Sequence, residues 1–89
     1  MRGKILDEAK QVINGERQDA YGNAEDNFGV IADLWSVYLK TTITPHDVAM
    51  CMALLKVARI RTGTGTRDSF VDCAGYVALA SDMQESNKC

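Results

Sequence analysis

Asp72 stands within Asp68-Ser69-Phe70-Val71-Asp72-Cys73-Ala74-Gly75-Tyr76-Val77-Ala78-Leu79-Ala80, a run too apolar for a surface helix. Asp68, Asp72 and Tyr76 recur at every fourth position, so a helix aligns them on one stripe. Withdrawing a lone carboxylate from water costs several kcal/mol unless a cation, a metal ion or strong donors meet it. Two partners are open. One is Lys56 or Arg59, i and i+3 on a second helix, which would hold the two helices in register. The other is a magnesium ion, a hard cation that takes oxygen ligands and water. For that ion Asp68 and Asp72 would be joined by Glu25 or Asp26 from a third helix, and the metal would bind a triphosphate and activate water.

A second group of residues suits a nucleotide. Arg17, Gln18, Asp19, Tyr21 and Gly22 read as a polar turn, in which a tyrosine can stack on a base while Arg17 or Lys56 meets phosphate. The turn reading stands beside it, with Tyr21 packed over the edge of the core. His46 is the one histidine, has no cysteine or carboxylate at ligand spacing, and reads as an exposed residue of a first helical turn. Gly63-Thr64-Gly65-Thr66 lacks the lysine and spacing of a phosphate-binding loop and reads as a flexible connection. The three cysteines are odd in number and lack paired zinc spacing, so they read as reduced thiols.

Four helices must position these groups, and no segment reads as a strand. The first runs from about Lys4 to Asn14, with Ile5, Leu6, Ala9, Val12 and Ile13 as its apolar face and Gly15 as its stop. The second begins after Asn23, its N-cap, and ends near Lys40. Phe28, Ile31, Ala32, Trp35, Tyr38 and Leu39 recur along it at helical spacing. Thr44-Pro45-His46-Asp47 opens the third with a capping threonine, a proline in the first turn and an acid near the positive helix end. Val48 to Ile60 follows, apolar on nearly every side but for Lys56 and Arg59, as in a helix that is central or lies at an oligomer interface. Thr66 caps the fourth, which runs to about Met83 before a frayed tail at 85–89. Met50, Met52 and Met83 read as core filler, and Gly75 marks a close helix contact or a ligand approach.

The expected fold is therefore all-α: one compact four-helix domain over residues 1–89. A chain of 89 residues builds a thin core, so self-association into a dimer or tetramer is expected. No apolar run reaches the length of a membrane span and no signal-peptide pattern is present, which reads as a cytoplasmic protein without a membrane partner. The net charge of -2 argues against a broad, sequence-specific nucleic-acid footprint but not against a small nucleotide.

Taken in order, Arg17-Gln18-x-x-Tyr21-Gly22-x-x-Glu25-Asp26-Asn27-Phe28, Thr44-Pro45-x-Asp47-Val48-Ala49, Leu55-Lys56-x-Ala58-Arg59 and Asp68-x-x-x-Asp72-x-x-Gly75-Tyr76 resemble a family of small uncharacterised phage and prophage proteins. The resemblance covers about residues 5–81 and implies a phage or prophage origin in a host-cell cytoplasm. More distantly, the arrangement is similar to the all-α nucleotide pyrophosphohydrolases of the MazG type. Those are magnesium enzymes, built of short helices and usually oligomeric, which split a nucleoside triphosphate into monophosphate and pyrophosphate. Their ligands come from an E-E-x-x-E motif and an E-x-x-D motif. Glu25 and Asp26 stand at the first two acidic places with Gly29 at the third; Asp72 stands at the last, with Ser69 at the acidic place before it and Asp68 one residue earlier. The resemblance thus implies Glu25, Asp26, Asp68 and Asp72 as metal ligands, Lys56 and Arg59 as phosphate-neutralising groups, and Tyr21 with Arg17 on the nucleotide. The alternative is a non-enzymatic phage protein that inhibits a host defence component or sequesters a signalling nucleotide.

Overall fold

The computed structural model describes residues 2–14 and 24–86, with side chains described for 2–13 and 26–83. Among these residues there are four helices and no strand: α1 (Arg2–Asn14), α2 (Ala24–Leu39), α3 (Pro45–Thr62) and α4 (Thr66–Ser86). The all-α expectation holds. Arg17, Tyr21 and the proposed cap Asn23 lie outside the described residues, as do Gly15 and the tail at 87–89.

Local chemistry sets the ends of α3 firmly. Thr44 is extended, its hydroxyl accepts the Asp47 N–H at 3.1 Å, and Asp47 Oδ2 accepts the Thr44 N–H at 3.0 Å. This reciprocal capping box satisfies two backbone donors that a helix start leaves bare. At the other end Gly63 adopts a left-handed φ of 80°, its N–H donates to the Ile60 carbonyl at 3.1 Å, and the Thr64 N–H donates to the Arg59 carbonyl at 3.0 Å. Gly65 is also left-handed, with φ of 57°. The backbone thereby enters α4 one residue early: the Ser69 N–H donates to the Gly65 carbonyl at 2.9 Å, so Thr66 is the first residue of the helix and not its cap.

The short reversal makes α3 and α4 an antiparallel pair. Two contacts mark its register, His46 with Ala80 near one end and Lys56 with Asp72 toward the other. Against this pair α2 packs on α3 and α1 packs on α4. The buried positions at the seams are mostly small: Ala49 and Ala53 on α3, Ala80 on α4, Ala32 on α2 and Ala9 on α1. Ala49, Ala80 and Met83 form one cluster, with Phe28 and Leu79 against it. Small side chains let helix backbones approach closely, and the core is narrow as a result. Gly75 is buried, and a Cβ there would stand 3.2 Å from Ile13 Cγ2, so the glycine marks where α1 rests on α4.

The α2–α3 connection hangs on Ser36. Its hydroxyl donates to the Ala32 carbonyl at 2.7 Å and accepts the Ile43 N–H at 2.8 Å. Lys40 closes α2 in the left-handed region at φ 56°, where a side chain is strained, and the Thr41 N–H reaches back to the Ser36 carbonyl at 3.2 Å.

Several expected core residues are exposed. Leu6 of α1, Tyr38 and Leu39 of α2 and Met50 of α3 face outward, while Phe28, Ile31 and Trp35 are half-buried. Tyr38 falls off the Phe28–Ala32–Trp35 line, and Leu39 is the last residue of α2. Phe70 and Val77 are likewise exposed, so α4 is a surface helix on one side despite its apolar sequence.

Gly75→Leu should displace α1 and destabilise the fold by about 2 kcal/mol, whereas Gly75→Ala should stay within about 1 kcal/mol of wild type because gained helix propensity offsets the push on Ile13. Urea unfolding midpoints followed by circular dichroism measure both. Lys40→Gly should stabilise by about 0.5–1 kcal/mol in the same assay by relieving the left-handed backbone.

Candidate functional site

The stripe that carries Asp72 faces α3. Lys56 lies on the inward side of α3, three residues beyond buried Ala53, and its Nζ sits 3.3 Å from Asp72 Oδ2. Both side chains are largely covered, 18% exposed for Lys56 and 22% for Asp72. Of the two cations that the spacing left open, Asp72 pairs with Lys56. Arg59 is exposed one turn further along α3, and Asp68 is exposed one turn before Asp72 on α4. The stripe therefore runs from an exposed acid to a half-buried ion pair and on to Tyr76, which is half-buried.

Tyr76 draws α2 to the same place. Its ring stacks on Phe28 with centroids 6.1 Å apart and planes 28° from parallel, within the range of favourable aromatic pairs. Phe28 belongs to the second turn of α2, immediately after the acids of the first. Asp26 is exposed and precedes Phe28 by two positions, a spacing that turns residues to different sides of a helix. Glu25 belongs to α2, but its side chain, like Arg17 and Tyr21, lies outside the described residues. Among the described residues no three of His, Cys, Asp or Glu gather into a group that would hold a metal ion. Asp72 is engaged by Lys56 and Asp68 is exposed one turn away, so the described acids do not form a ready-made magnesium site on their own.

Ser69, three residues before Asp72, is 2% exposed beneath the hairpin turn, with its hydroxyl facing the Thr64 carbonyl at 3.5 Å. A carboxylate in its place would be buried and would set acceptor against acceptor. The position is suited to a small donor.

Other ties were not legible in the spacing. His46, expected exposed, is half-buried, with Nδ1 2.9 Å from the Ala80 carbonyl. The ring therefore carries its proton on Nδ1 and bridges the start of α3 to the end of α4. Arg67 Nη2 meets Glu8 Oε2 at 2.8 Å across α4 and α1, an exposed pair. Both join residues far apart in sequence, and only the antiparallel register, with His46 thirty-four residues from Ala80, would have suggested the first. The thiols of Cys51 and Cys73 are free, Cys51 exposed and Cys73 half-buried.

Chemically, the seam offers a lysine held, among the described residues, by Asp72, an exposed arginine one turn away and two stacked rings beside them. An incoming phosphate would compete with Asp72 for Lys56 and would find Arg59 free to turn toward it.

Residues 4–84 match the family described as Domain of unknown function (DUF6378), and the chain belongs to that family. It is similar to the Gene 55 protein of Mycobacterium phage D29, 46% identical over 86 residues, covering 96% of this chain and 56% of the relative. It is similar also to the Gene 55 protein of Mycobacterium phage L5, 43% identical over 81 residues, covering 90% of this chain and 52% of the relative. The chain thus spans about half the length of the curated relatives it matches. No solved structure matches it.

A double-mutant cycle on Lys56→Met and Asp72→Asn should give a coupling of about 1 kcal/mol, since both ends keep some water and a buried pair still carries a desolvation cost. The coupling should shrink as salt is raised. Denaturant unfolding of the four proteins measures it; no coupling would mean that the two charges ignore each other in solution.

Proposed function

We propose that this DUF6378 chain is a phage-encoded nucleotide-binding protein that takes its phosphates at the α3–α4 seam. The observation that carries this reading is the Lys56–Asp72 pair, a covered cation facing an acid, with Arg59 exposed one turn away. Lys56 and Arg59 would neutralise phosphate as Asp72 releases the lysine. The base would stack nearby, on Tyr21 or against the Phe28–Tyr76 rings, and Arg17 would add a second phosphate contact. Magnesium would enter with the triphosphate, as that ion commonly does, keeping several waters and taking few protein ligands. The acids that would meet it are Asp68, Asp72 and those of the first turn of α2, Glu25 and Asp26.

Within that reading, magnesium-dependent release of pyrophosphate is the activity to test first, with the chain as a homo-oligomer in the host-cell cytoplasm. No helix among the described residues is long and apolar enough to cross a membrane. The second reading is binding without turnover, either of a signalling nucleotide or of a host defence protein that the chain inhibits. It is favoured by the lack of a three-acid group among the described residues.

A panel of nucleoside triphosphates, each with and without magnesium, separates these readings by thermal shift, calorimetry and pyrophosphate release. A triphosphate should raise the melting temperature, and Lys56→Met should weaken its binding at least tenfold, about 1.4 kcal/mol. Release of pyrophosphate that is lost in Asp72→Asn makes the chain an enzyme. Binding with no release makes it a sequestering protein. If no nucleotide shifts the wild-type melting curve, the nucleotide reading fails.

A further inference from the structure

We infer that the outward face of α3 is the surface on which a second copy of this chain docks. The inference develops the self-association in the reading above and does not depend on nucleotide binding, so a failure of either is seen separately.

Met50, Leu54 and Val57 follow one another at i, i+4 and i+7 along α3, flanked by Cys51, Leu55 and Ala58 at the next position round the helix. All six are apolar and all are exposed, Leu54 by 62%. With Asp47 before Met50 and Arg61 after Val57, the line is 47, 50, 54, 57, 61, the alternating three- and four-residue spacing of a helix-pairing seam. Its two ends carry opposite charge and lie equally far from Leu54. An antiparallel crossing of two α3 helices about a two-fold axis near Leu54 brings Asp47 of each copy toward Arg61 of the other. A parallel crossing would set like charges together. The face is thus self-complementary, as a two-fold interface requires.

The apolar line Val30, Leu34 and Val37 on α2 is exposed too and lies between Asp26 and Lys40, but exposed Asp33 stands midway between those two charges. Two copies crossing there about a two-fold axis would bring their Asp33 carboxylates together, whereas Leu54 holds the midpoint on α3, so α3 is the better match for a second copy.

Sedimentation equilibrium of the whole chain tests this directly, supported by maleimide labelling of Cys51, which the dimer would cover. Wild type should sediment at twice its 9.8 kDa, with Cys51 labelled at least tenfold more slowly in the dimer than after dilution to monomer. Leu54→Glu should sediment as a folded monomer by circular dichroism, while Leu34→Glu should remain dimeric. Arg61→Glu should weaken association about tenfold through the loss of complementary charge. A wild-type monomer at every concentration overturns the inference and leaves the face to a different protein. So does a dimer that survives Leu54→Glu with Cys51 labelled as fast as in the monomer. Should Leu54→Glu lose its helicity, wild-type Cys51 labelling decides: a rate independent of concentration overturns the inference.

Discussion

The antiparallel register of α3 and α4 is the constraint on which the rest of this molecule depends. Two left-handed glycines, Gly63 and Gly65, let the chain reverse within three residues. The reversal fixes which side chains can meet. Lys56 finds Asp72 and His46 finds the Ala80 carbonyl because ten residues along α3 and eight along α4 cover similar distances, about 15 and 12 Å at the helical rise. Neither contact is strong alone. Together they hold one register among the several that a seam of alanines would tolerate, since small apolar side chains interlock weakly. The charged pair contributes alignment more than stability.

Around that pair the remaining helices attach by small, specific accommodations. Gly75 makes room for Ile13, and α1 settles there with the Arg67–Glu8 pair at the edge. Phe28 reaches Tyr76, and Ser36 ties the end of α2 to the strand-like backbone that leads into the capping box of α3. The ion pair, the stacked rings and the exposed Arg59 are thus products of one packing arrangement, and a ligand at the seam would press on α2, α3 and α4 together.

Much of this was legible in the residues. The capping Thr44 and the acid at Asp47 rest on local chemistry, which a sequence displays directly, whereas Gly63 to Thr66, expected to be a flexible connection, forms a defined turn through two left-handed glycines. The meaning of Gly75 and the pairing of Asp72 with a cation of the third helix were legible for a related reason: a glycine in mid-helix and a carboxylate in an apolar run are both costly without a partner. What could not be read was which apolar face points inward. On α3 nearly every face is apolar, so periodicity carried no direction, and Met50 emerged outside while Ala49 and Ala53 went in. Tyr38, Leu39 and Leu6 were misplaced because the core is narrower than the apolar content suggests. His46 was misplaced because its acceptor is a backbone carbonyl, which every residue possesses and no sequence pattern marks.

Ser69 bears on which charges this seam can present. The residue is enclosed by the hairpin turn, and its hydroxyl donates to the Thr64 carbonyl. An acid placed there alone would be held in its neutral form, since the enclosed site disfavours charge and the carbonyl asks for a proton. Position 69 can therefore hold a small donor but not a ready carboxylate, and the hairpin that gives α3 and α4 their register also restricts where the seam can carry negative charge.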